Sequence, residues 1–178
     1  NLVLMAPSNE ADCYQMLNLG FNHNGICAVR YPRGESKNQY LNKETEPIRF
    51  GGAKKIRTGK SIAILAFGTI VNTCLEVAED INATVVDMRF VKPIDKKMIK
   101  EICLHHNFIV TVEENVVSGG AGSAVLEALS EMQLSCKTLV IGIPDKFFEH
   151  GSQKEVLKIC GLDKNTIKRK IVKQHKEC

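Results

Sequence analysis

The sequence has no tryptophan, aromatic residues make up only 6% of it, and no cysteine pair stands in CxxC spacing. It also has no apolar run near the roughly 20 residues a membrane span requires, no basic-then-apolar leader, no internal repeat and no low-complexity tract. Each absence removes a class. A nucleic-acid surface interleaves Lys and Arg with exposed aromatics. Here the net charge of +4 owes much to the tail from Lys168-Arg169-Lys170 through Lys176, which reads as a solvated terminal helix. Neither a nucleic-acid nor a membrane partner is expected. The seven cysteines (Cys13, Cys27, Cys74, Cys103, Cys136, Cys160, Cys178) are odd in number and widely spaced. Several fall in apolar stretches as small hydrophobes, which points to a reducing compartment and no zinc site. What remains is an ordinary globular composition, 44% hydrophobic and 25% charged over 178 residues. That length suits one domain with its own core, or one domain plus a piece of another. The start at Asn1, running directly into strand-like Leu2-Val3-Leu4-Met5-Ala6, reads as an excised fragment.

The most informative residue is Arg33, in Cys27-Ala28-Val29-Arg30-Tyr31-Pro32-Arg33-Gly34. Pro32 biases Tyr31 toward extended geometry and Gly34 frees the chain to turn. The guanidinium therefore sits at a strand rim, where its fork can give two charge-assisted hydrogen bonds to a phosphate or carboxylate. A plain surface arginine in a turn is the other reading of position alone.

Organisation follows from periodicity. A strand at Leu2–Ala6 precedes Ser8, an N-cap candidate, and a helix from about Glu10 to Leu19. Ile26–Tyr31 closes this β-α-β unit. The polar stretch Glu35–Pro47 reads as a linker. Beyond it, Ala53–Arg57 and Ile62–Ala66 flank Thr58-Gly59-Lys60, as in a hairpin. Helices fit Ile70–Asp80, Lys96–His105, Gly122–Met132, Gln153–Cys160 and Thr166–Gln174, with Asp95 and Ser152 as caps. Strands fit Ala83–Asp87, Phe108–Glu113 and Thr138–Ile143. This alternation predicts an α/β fold with a mostly parallel sheet covered by helices on both faces.

Few local motifs carry chemistry. Gly59-Lys60-Ser61 is not a phosphate-binding P-loop, because Lys54 stands where glycine is required and a strand follows. Ser118-Gly119-Gly120-Ala121-Gly122-Ser123 runs from a strand into a helix, so the backbone can pass close to a ligand or another domain and aim its amides there. It does not complete a dinucleotide fingerprint. Glu113 and Glu114 are adjacent on a strand end, project to opposite faces and cannot form one acid/base pair. Either they reach a cofactor-bearing neighbour or they pack between domains or subunits. His150, ahead of a helix, is a cleft candidate, as is Tyr31. His105 and His106 read as surface or helix-end residues.

Taken together, several segments resemble the 1-deoxy-D-xylulose-5-phosphate synthase family of transketolase-like enzymes. They are Met5-Ala6-Pro7-Ser8-Asn9-Glu10, Ala28 to Gly34, Val86-Asp87-Met88-Arg89-Phe90-Val91-Lys92-Pro93-Ile94-Asp95, Thr111 to Asn115 with Gly119 to Ser123, and Gly142-Ile143-Pro144-Asp145-Lys146-Phe147. They run in collinear order over nearly the whole chain. The resemblance implies that residues 1–44 are the end of a pyrimidine-binding domain with a linker, its last β-α-β portion, and that 45–178 are a transketolase C-terminal domain. It implies thiamine diphosphate and Mg2+ as cofactors of the full-length enzyme, pyruvate and glyceraldehyde 3-phosphate as substrates, and a homodimer. It makes Arg33 a contact to the phosphate of glyceraldehyde 3-phosphate.

The family's magnesium and diphosphate motif, its activating glutamate and its proton-handling histidines have no counterpart in this sequence. No catalytic, cofactor-binding or metal residue is therefore expected here, and the fragment alone is expected to be inactive. Lys- and Asn-rich usage points to an AT-rich genome, and the family's range to a plastid or apicoplast stroma or a bacterial cytoplasm. Two other readings stand beside this one: the C-terminal part of a 2-oxoacid dehydrogenase β subunit, and a non-catalytic assembly or regulatory module.

Overall fold

Ile62-Ala63-Ile64-Leu65-Ala66-Phe67 is apolar at every position, and a strand of this kind has to be covered on both faces. In the computed structural model, which describes residues 1–33 and 46–177, it is strand β4 (Ile62–Phe67), and all six residues are buried. The elements before it are β1 (Leu2–Met5), α1 (Glu10–Phe21), β2 (Ile26–Val29) and β3 (Lys54–Arg57). After a 3₁₀ turn (Gly68–Ile70) come α2 (Val71–Ile81), β5 (Thr84–Asp87), β6 (Phe90–Lys92), α3 (Lys96–His105) and β7 (Phe108–Val116). The chain continues through α4 (Ala121–Glu131), β8 (Lys137–Ile143), α5 (Gln153–Ile159) and α6 (Lys164–Lys176).

The main sheet has the order β3-β5-β4-β7-β8, with β5, β4, β7 and β8 parallel. The parity of β4 sorts the core into two layers. Ile62, Ile64 and Ala66 pack with Cys74 and Ala78 of α2 and Ile167 and Ile171 of α6. Ala63, Leu65 and Phe67 pack with Ile99 and Ile102 of α3 and Val125 and Leu129 of α4. The expected fold class, a mostly parallel sheet covered on both faces, is the one observed.

The expected hairpin is not. Strand β3 pairs antiparallel with β5, not with β4. The doubly buried β4 takes parallel partners on both sides, β5 and β7. The strand carrying exposed Lys54 and Lys55 goes to the sheet edge, where lysines discourage further pairing. The turn at Gly59 is pressed against the start of β5. A Cβ there would lie 2.2 Å from the carbonyl carbon of Ala83.

A second sheet has the order β2-β1-β6, with β1 and β2 parallel and β6 antiparallel to β1. Strand β6 was not expected, since three residues carry no period. It places fully buried Phe90 against Val3, Met5, Met16 and Ile48. The later half of the chain thus supplies an edge strand to the sheet of the first. The anticipated linker lies mostly, and the boundary at 44/45 wholly, outside the described residues.

Helix starts follow local chemistry. Asn9, not Ser8, caps α1, its Oδ1 accepting from the Asp12 amide at 2.9 Å. Ser8 is buried and bonds elsewhere. Asp95 and Ser152 cap α3 and α5 as expected, Ser152 in a capping box with Glu155. Asp163 caps α6, which begins two residues ahead of the expected Thr166.

Candidate functional site

Strand β2 ends at Val29, two residues before the expected Tyr31. The Arg30 amide still donates to the Met5 carbonyl at 2.8 Å, the last rung beside β1. Tyr31, Pro32 and Arg33 then leave the sheet and are exposed. The Arg30 side chain turns to the main sheet, where its Nη2 donates to the Glu114 carbonyl. A cleft of about 190 Å³ lies here, with Arg30, Tyr31 and Pro32 on one wall and Glu114, Ile143 and Gln153 on the other. Tyr31 and Glu114 are therefore brought together. Sequence reasoning missed Arg30, although it stood at a strand end three residues before Arg33 and within the collinear Ala28 to Gly34 segment.

Glu113 and Glu114 do project to opposite sides of β7. Glu113 is buried, and its carboxylate accepts from the Ala121 amide at 2.7 Å and the Gly122 amide at 2.8 Å. Burial pushes its carboxyl pKa up, against the pull of those two amides. The glycines make this approach feasible. A Cβ on Gly120 would lie 2.5 Å from Glu113 Oε2, and one on Gly122 would lie 2.7 Å from Thr111 Oγ1. The amides at the start of α4, expected to face a ligand or a neighbouring domain, face the chain's own carboxylate. Glu114 accepts from Thr69 Oγ1 at 2.7 Å, and burial raises its pKa too, opposed by Thr69 and Arg30.

His150 is exposed and does not line this cleft. His105 and His106 are helix-end residues. Their Nδ1 atoms lie 2.7 Å and 3.0 Å from the carbonyls of Glu101 and Ile102, and His106 Nε2 pairs with Thr84 Oγ1.

A buried ionic cluster, which sequence reasoning did not single out, joins the two sheets. Arg89 gives two hydrogen bonds to Asp12, at 2.9 Å and 3.2 Å. Ser8 Oγ donates to Asp87 Oδ2 at 2.6 Å. Burial raises the Asp87 pKa to about 7, against the hydrogen bond from Ser8 and the charge of Arg89. The collinear Val86 to Asp95 segment was the only sign for Asp87 and Arg89, Ser8 was read as a helix cap, and Asp12 carried no sign.

The acidic side chains at these positions already have partners within the fold: the carboxylates of Glu113, Glu114, Asp12 and Asp87 are engaged by amides, hydroxyls or Arg89. Among the described residues no group of three or more His, Cys, Asp or Glu is arranged to hold a metal. The six described cysteines are free thiols. No helix among the described residues is long and apolar enough to cross a membrane.

Comparison with known proteins gives a consistent picture. The profile of the family "Transketolase, C-terminal domain" matches residues 51–167. The chain is 43% identical over 171 residues to a 1-deoxy-D-xylulose-5-phosphate synthase of Vibrio parahaemolyticus, covering 96% of this chain and 28% of that protein. It is 52% identical over 157 residues to the synthase of Histophilus somni, covering 88% of this chain and 25% of that protein. The chain thus spans about a quarter of these relatives. Among solved structures, a split-gene transketolase described as an inactive β4 tetramer superposes with a TM-score of 0.81 at 28% identity, over 97% of this chain and 57% of that one. A transketolase from Campylobacter jejuni superposes with a TM-score of 0.68 at 19% identity, over 97% of this chain and 26% of that one, and shares the fold.

Proposed function

The chain belongs to the transketolase C-terminal domain family, and from that premise we propose that it is the C-terminal part of a 1-deoxy-D-xylulose-5-phosphate synthase. The parent would join pyruvate, after decarboxylation, to glyceraldehyde 3-phosphate, as a homodimer using thiamine diphosphate and Mg2+. The observation that carries this reading is the 43–52% identity to curated synthases along 88–96% of the chain. In this reading the cofactor and metal are held by other segments of the parent, since the carboxylates here are already engaged within the fold. The parent would work in a reducing bacterial cytoplasm or plastid stroma.

Within the site, Arg33 is the residue proposed to bind the phosphate of glyceraldehyde 3-phosphate. It stands exposed beyond the β2 rim, on the same exit as Tyr31 at the cleft wall. In the full-length enzyme, Arg33→Ala is expected to reduce kcat/KM for glyceraldehyde 3-phosphate by about 10- to 150-fold, the loss of roughly 1.5–3 kcal/mol from a charged hydrogen bond, while largely sparing pyruvate. Steady-state kinetics with each substrate varied in turn checks this, and an unchanged KM for the phosphorylated substrate would sink the assignment.

The isolated chain is expected to be inactive when supplied with thiamine diphosphate, Mg2+ and both substrates. The inactive split-gene transketolase, which matches 97% of this chain, supports that expectation. Product formation by the isolated chain, read by carbon dioxide release, would contradict it.

A further inference from the structure

The exit from β2 toward Arg33 is tied to the main sheet by the Arg30 side chain, with two neighbours behind it. Arg30 closes the β1–β2 ladder with its amide and reaches the Glu114 carbonyl with its guanidinium. Glu114 is itself held through its carboxylate by Thr69, in the 3₁₀ turn that follows β4. The connection therefore runs from the end of β2 to the end of β7 and on to the start of α2.

We propose that Arg30 is a positioning residue, which clips the Tyr31–Arg33 exit to the end of β7 so that Arg33 meets the substrate phosphate already in place. The proposal rests on the phosphate reading of Arg33 given above. Its physical basis is preorganisation. Arg33 lies three residues past the last ladder bond, and Tyr31, Pro32 and Arg33 are exposed. Three residues can span about 10 Å, so a small rotation at Arg30 displaces the Arg33 guanidinium widely. Pro32 restrains one φ in that span, and the Arg30 clip fixes the pivot. An exit ordered before substrate arrives does not lose that freedom on binding, so release of the clip weakens KM for the phosphorylated substrate. Arginine suits the task because its fixed fork of donors reaches a backbone carbonyl with little loss of freedom per bond.

The test is a double-mutant cycle in the full-length enzyme. Arg30→Ala is expected to raise KM for glyceraldehyde 3-phosphate on the order of tenfold, leaving kcat and the KM for pyruvate little changed. Arg30→Lys, whose ammonium can still donate to the Glu114 carbonyl, recovers most of the loss and keeps the test sound if the alanine variant folds poorly. The combined Arg30→Ala, Arg33→Ala variant is no worse than Arg33→Ala alone, because Arg30 acts through Arg33. Additive losses would overturn the proposal by making Arg30 a direct substrate contact. A normal KM in Arg30→Ala beside a raised KM in Arg33→Ala would overturn the clip and leave the phosphate reading standing. No effect of Arg33→Ala would remove that reading and the proposal with it.

Discussion

At the scale of single residues, the carboxylates of Asp12, Asp87, Asp95 and Glu113 are buried, and the chain's own donors satisfy them. Asp87 is the sharpest case. Its folded pKa, raised to about 7 from 3.8, lies above the unfolded value. The stability it contributes is therefore fully present below about pH 4 and is lost as pH rises through about 7. Glu113 and Glu114 are shifted in the same direction, so a comparison with Asp87→Asn isolates the aspartate. That variant can still accept from the Arg89 amide and pair with Ser8, and its urea midpoint is expected to fall less between pH 4 and 8 than the wild type's. Parallel profiles would refute the assignment. Strand alternation made the opposite projection of Glu113 and Glu114 legible. What each touches was not, because Ala121, Gly122 and Thr69 are brought to them only by the packing of α4 and the 3₁₀ turn on β7.

At the scale of elements, Asp95 joins three parts of the fold. Its carboxylate caps α3 at the Met98 amide, accepts from the Ala53 amide at 3.0 Å, and meets the Arg49 guanidinium at 2.8 Å. The Arg49 end is exposed and adds little. The cap and the Ala53 bond together make Asp95→Ala cost about 2–3 kcal/mol in chemical denaturation, and a loss under 0.5 kcal/mol would contradict this account. The cap itself could be read in sequence, since an N-cap lies within four residues of the amide it serves. Most helix and strand positions were legible for the same local reason. The pairing of β3 was not, because two strands joined by a short turn look like a hairpin, and nothing local shows that both edges of β4 are taken by β5 and β7. Strand β6 was illegible as well. It follows Arg89, a non-glycine residue at φ +58, and is defined by its pairing with β1.

At the scale of the whole molecule, the two sheets are joined by β6 and by the ionic cluster of Ser8, Asp12, Asp87 and Arg89. Arg89→Ala leaves two buried carboxylates near each other without their cation, and is expected to cost about 3–5 kcal/mol. Arg89→Gly removes the same cation but relieves the positive φ, and should recover roughly 1 kcal/mol relative to alanine. Urea denaturation of the two variants measures both quantities, and equal stability of the pair would show that the backbone carries no strain there. The sequence by itself determined the α/β class, most elements, the caps of α3 and α5 and the family, because each of these depends on residues close in the chain or on collinear identity. Only the tertiary structure decided the edge position of β3, the crossing of β6 into the first sheet, the use of the α4 amides by Glu113 and the reach of Arg30 to Glu114. Most of these join residues far apart in sequence, and even the eight- and nine-residue reach from Glu113 to the α4 amides depends on how α4 packs on β7. They form because buried strands and buried charges must find partners wherever the fold brings them.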